Sequence, residues 1–100
     1  SGGKPIETLE GEERSEFQKI SGEIVEENVK KLTTNNKYKK LSDEDKAEVI
    51  YGIVGFAYNK AKAEVLDTDV ATTYKTANKY VKNGGALYDF YANKVYKNRG

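Results

Sequence analysis

The chain has no cysteine, histidine, methionine or tryptophan, and a single proline at Pro5. Each absence closes off chemistry. Without His or Cys its 100 residues cannot build a Ser/His/Asp triad, a thiol nucleophile, a zinc finger, an iron–sulfur cluster, a disulfide or a His-ligated haem. No apolar run approaches the ~20 residues a membrane-spanning helix needs. The first residues show neither the basic nor the apolar region of a signal peptide. Ser1-Gly2-Gly3 reads as a tag remnant, so residues 1–5 are assigned to that remnant and a disordered start, and residues 6–100 to a single helical domain.

Hydrophobic residues make up 37% and charged residues 33% of the sequence, a polar balance for a globular domain. Folding is nevertheless expected, because the net charge is only +1 and the apolar residues are periodic. Eight Tyr and three Phe supply large rigid rings, and each buried Tyr hydroxyl needs water or a partner at its edge.

Phe17, Ile20, Ile24, Val25 and Val29 recur at helical spacing and predict an amphipathic helix from Gly11 to Leu32. Glu10, Glu12 and Glu13 suit its positive end, and Lys30 and Lys31 its negative end. Thr33 to Asn36 reads as a loop. Ser42, followed by Asp43, Glu44 and Asp45, is the clearest start signal, for a helix running to about Leu66. Asp67-Thr68-Asp69 is expected to end that helix and cap the next, roughly Val70 to Lys82. Asn83-Gly84-Gly85 reads as a C-cap and turn before a last short helix, Ala86 to about Lys97. No segment sustains period-two alternation. The expectation is all-α: a compact bundle of about four helices, two long and antiparallel, two short.

Each candidate site competes with a structural role. Gly22, Gly52 and Gly55 fall inside predicted helices at a cost of ~1 kcal/mol each, which close approach of a backbone or a Tyr ring would offset. They do not form a phosphate loop, since mid-helix N–H groups are already bonded. Asp43-Glu44-Asp45 and Asp67-Thr68-Asp69 fit helix caps better than a calcium loop, whose sixth position would be Glu48 instead of Gly. Glu12/Glu16 and Glu23/Glu27 could pair for acid–base work, but a solvated charged face explains them more simply. The expectation is no enzyme, no metal and no cofactor.

Charge is distributed unevenly. Residues 1–50 carry 9 basic and 12 acidic side chains, and residues 51–100 carry 8 and 4, giving −3 and +4. From Ala71 onward Asp89 is the sole acid. Tyr74, Lys75, Lys79, Lys82, Tyr88, Lys94 and Lys97 are therefore the candidate interaction surface. Tyr74 and Tyr88 are expected to meet a protein partner, while Tyr51, Tyr58, Tyr80, Phe90 and Tyr91 serve as core or interface anchors. Cations interleaved with rings also suit phosphates and bases, so nucleic-acid binding through this segment is the alternative.

Glu16 to Gly22, then Tyr38-x-x-Leu41-Ser42-Asp43-Glu44-x-Lys46-Ala47, then Ala57 to Leu66 and Tyr80 to Tyr91 together resemble a known segment. It is a helical segment found repeatedly in large polyvalent, virion-associated or tail-linked polypeptides of phages and prophages of Gram-positive bacteria. The resemblance spans roughly residues 12–95. It implies a non-enzymatic structural or spacer module in a phage particle or prophage product; separately, the Tyr-rich surface is expected to meet a protein partner or to self-associate, in the virion or the bacterial cytoplasm. It carries over no catalytic residues.

Overall fold

The first long helix, α1 (Gly11–Leu32), begins at Glu10 without a side-chain cap and leaves Glu12 and Glu13 in its first turn and Lys30 and Lys31 in its last. The computed structural model describes residues 9–99, and all secondary structure among them is helical. The expected tag remnant and disordered start at residues 1–5 lie outside the described residues. A one-turn helix, α2 (Asn36–Lys39), occupies part of what the sequence suggests is loop. Its signal is Asn35, whose side-chain oxygen accepts from the Tyr38 N–H at 2.9 Å.

The second long helix, α3 (Asp43–Val65), starts where Ser42 Oγ accepts from the Asp45 N–H at 3.2 Å. Its far end corrects one expectation. Asp67 takes a left-handed conformation, φ 52°, and the Thr68 N–H returns to the Ala63 carbonyl at 2.8 Å. Asp67 thus terminates α3 in the place glycine usually fills. Asp69 caps nothing. The Ala71 N–H instead bonds Asn59 Oδ1 at 2.9 Å, and a 3-10 turn at Thr72–Tyr74 precedes α4 (Lys75–Lys82), five residues later than expected. The end of α4 follows the sequence. Gly84 sits at φ 95°, its N–H bonds the Val81 carbonyl at 3.0 Å, and the Gly85 N–H bonds the Tyr80 carbonyl at 2.9 Å.

The last helix, α5 (Leu87–Arg99), is tied to α1 through its own N-terminus, because Asn28 Oδ1 accepts the otherwise unpaired Tyr88 N–H at 3.1 Å. Its other end reaches the start of α3: Arg99 Nε donates to Asp45 Oδ1 at 2.8 Å and Nη2 to Glu48 Oε1 at 2.7 Å.

Burial orders these pieces. Leu9, Phe17 and Ala61 form one cluster, bringing the start of α1 to the end of α3 and making the long helices antiparallel. Leu32, Val49, Ile53, Phe56, Leu87 and Tyr91 anchor the larger cluster, which joins α1, α3 and α5. Four helices of eight or more residues pack as an all-α bundle, as the periodicity implies, with α2 added. The rings expected as core or interface anchors divide: Tyr91 is buried, whereas Tyr51 is 74% exposed and Tyr58 and Tyr80 also face solvent, so those three lie outside the core. On α1 the stripe is shallower than its spacing suggests: Phe17 and Ser21 are buried, while Ile20, Ile24, Val25 and Val29 are half-buried.

Candidate interaction surfaces

The basic, Tyr-rich candidates do not converge on one place. Lys75, Lys79 and Lys82 follow one another at four- and three-residue steps and are exposed along one face of α4. They line an open groove of about 590 Å³ whose opposite wall carries Glu64, Asp67 and Asp69 at and beyond the end of α3. Carboxylates thus share the groove with the ammonium groups, which lowers the potential that a phosphate backbone would meet. Lys94 and Lys97 line a different groove, of 450 Å³, beside Tyr80, Phe90 and Tyr91, with Lys94 Nζ 6.0 Å from the Tyr91 ring centroid.

Tyr74 and Tyr88 are both half-buried. Tyr74 meets the Phe56 ring edge-on at 6.4 Å between centroids. Its hydroxyl lies 2.7 Å from where a Cβ on Gly55 would stand. Tyr88 packs on the main core and lines a 330 Å³ cavity with Ile24, Phe56 and Val81. Both rings are largely spent on the fold.

Asp89 is spent as well. Its Oδ2 accepts the Tyr80 hydroxyl at 2.8 Å and its Oδ1 the Asn35 side chain at 2.9 Å, so one carboxylate ties α5 to α4 and to the cap of α2. That hydrogen bond, with some burial and the charge of Asp89, holds the Tyr80 hydroxyl above its ordinary pKa. Tyr91 is pushed up to about 12, chiefly by burial and secondarily by Tyr74.

The carboxylate pairs Glu12/Glu16 and Glu23/Glu27 are all exposed, so no wall desolvates either pair. Asp45 serves Arg99, and the remainder of that acidic cluster is the first turn of α3. Among the described residues no group of three or more acidic side chains is arranged to hold a metal ion. None of the described helices is long and apolar enough to cross a membrane.

One surface escapes the sequence reading. Between α1 and α3 lies a groove of about 540 Å³ with apolar walls from Phe17, Val25 and Tyr58 and a floor at Ser21 and Gly22. Phe17 and Tyr58 stack at 5.6 Å with their planes tilted 54°. Ser21 is buried because its hydroxyl folds back to the Phe17 carbonyl at 2.8 Å, which leaves the floor free of an outward polar group. Tyr51 lies seven residues before Tyr58, two turns along the same face of α3.

The three mid-helix glycines now separate. A Cβ on Gly52 would collide with the Tyr91 ring, and one on Gly55 would press on the Tyr74 hydroxyl. Around Gly22 nothing beyond its own stretch of helix backbone comes within 4 Å of that position. Close internal contact explains the first two and not the third. The available signal was the i, i+7 spacing of Tyr51 and Tyr58 opposite a glycine on the partner helix. Read by itself, each helix shows half of it.

Comparison with protein-family models, with curated proteins and with solved structures found no match to this chain.

Proposed function

We propose that the chain is a non-enzymatic helical module that acts by packing against another protein, and that it docks through the α1–α3 groove. The observation that carries this reading is Gly22: a residue costing ~1 kcal/mol in a helix, with no internal contact to offset it, at the floor of an exposed groove walled by Phe17, Val25 and Tyr58. A bare stretch of helix backbone beside the half-exposed Tyr58 ring is what a second packed element can use. Aromatic anchors are typical of such contacts.

The likeness of residues 12–95 to phage structural segments supports the same kind of role, a spacer or scaffold piece of a phage-derived protein. It rests on motifs that good helix capping partly accounts for, notably Leu41 to Ala47. Nucleic-acid binding through the lysines draws less support, because two separate grooves divide them and acidic residues share the larger one.

A photo-crosslinking residue placed at Val25 and, in parallel, at Lys79 tests the docking face in cells producing the chain. Protein adducts are expected from position 25 and lost when Tyr58→Glu is added. Adducts from neither position, or equally from both, would sink this reading. A DNA or RNA complex weakening log-linearly as salt rises would favour the rival.

A further inference from the structure

We infer that the occupant of the α1–α3 groove is a second copy of this chain, bound about a two-fold axis that sets α1 antiparallel to its symmetry mate. This rests on the reading of that groove as a protein-docking face and names its partner.

The groove is self-complementary in charge and shape. Arg14 marks one end and Glu26 the other, with Gln18 and Gly22 between them on the same stripe. Arg14, Gln18, Gly22 and Glu26 follow one another at four-residue steps, one ridge of the kind that packs against a second helix. A two-fold axis passing near Ile20 gives each residue a counterpart such that the two numbers add to forty. Arg14 then falls opposite Glu26 of the other copy, twice. The same register sets the long Gln18 side chain over the bare backbone of Gly22, also twice. One register satisfies both pairings, as an isologous contact requires.

The groups involved are available. Glu26 is exposed and has no ion-pair partner among the described residues. Arg14 uses Nε on the Leu9 carbonyl at 3.1 Å, which leaves the outer nitrogens of the fork for a carboxylate. Tyr58, beside Phe17, flanks the seam, and Tyr51 extends the apolar face two turns further along α3. A 22-residue helix is about 33 Å long, so two helices side by side present on the order of 700 Å² per copy. A specific interface takes about 800 Å² from each partner.

Sedimentation velocity and light scattering of the pure chain across a concentration series test this. The expected result is a species of twice the 11.2 kDa monomer mass that dissociates on dilution. Arg14→Glu and Glu26→Arg each place like charges together at two symmetric points and should weaken association roughly tenfold. The double variant R14E/E26R should restore it, which a merely structural role for either side chain would not produce. Gly22→Leu enters open space in the monomer and should abolish the dimer with helicity unchanged by circular dichroism. A monomer at every concentration, or failure of the charge swap to restore association, overturns the inference. Should the pure chain stay monomeric while position 25 still crosslinks to a different protein, the two-fold pairing falls and the docking face stands. Should both fail, the face itself is wrong.

Discussion

The α3–α5 contact and the outer α1–α3 groove use the same residue type to opposite ends. At Gly52 the missing side chain is filled by the Tyr91 ring, which is 7% exposed and packed edge-on against Phe90 at 5.1 Å. At Gly22 the missing side chain is filled by nothing, and the neighbouring ring, Tyr58, is 47% exposed. Both glycines cost a helix about the same. The difference lies in what recovers that cost: within the chain at Gly52, and outside it at Gly22.

Removing the rings should separate the two sites most strongly. Tyr91→Ala should destabilise the fold by about 3–5 kcal/mol, the usual loss for a buried aromatic. Tyr51→Ala, on an exposed ring, should stay within about 0.5 kcal/mol of the parent. Urea unfolding followed by circular dichroism measures both. Equal losses would show that exposure misjudges these rings.

Ionising Tyr91 is the next perturbation. Its folded pKa of about 12 lies above the ordinary 10.0, so the neutral phenol is favoured in the folded state. That stabilisation is complete below pH 10 and disappears as the pH rises through 12. The urea midpoint should therefore fall across this window. Tyr91→Phe should flatten most of the decline, leaving the smaller contribution of Tyr80, whose hydroxyl is raised in the same direction by Asp89.

Gly52→Ala comes third. The atoms it would strike, Cδ1, Cε1 and Cγ, run along one edge of the buried Tyr91 ring, which has no room to swing aside, so overpacking of about 1–3 kcal/mol is expected despite better helix propensity. Gly22→Ala should have the opposite sign. In dilute solution, where the chain is a monomer, it should stabilise by up to about 1 kcal/mol, since Ala meets open space. Thermal melts of the two variants side by side decide the point. A Gly22→Ala variant less stable than the parent would mean the groove is filled within the monomer.

Helix boundaries were legible where the signal is local. Ser42 with its three acids places the start of α3, and Asn83-Gly84-Gly85 places the end of α4, because caps act through bonds spanning three to five residues. The stretch from Asp67 to Tyr74 is not legible in the sequence because two candidates compete there. Asp67 took the left-handed position, and Ala71 found Asn59 twelve residues back, so the Asp69 cap was not needed. The candidate site was the least legible part. Spacing identified Lys75, Lys79 and Lys82 as one face, yet only the packed bundle shows Glu64, Asp67 and Asp69 across from them. It likewise moved Tyr74 and Tyr88 into half-buried positions and left Tyr51 and Tyr58 outside.

By itself, then, the sequence determined the helical class, the extents of α1 and α3, and the absence of any His or Cys chemistry. Those follow from composition and from forces acting within a turn or two of the chain. Tertiary structure alone decided which of the eight Tyr became core, which glycine stayed bare, and where a groove was left open. A helix with apolar residues on more than one side can bury only the side its neighbours reach, and that choice belongs to residues far away in the chain.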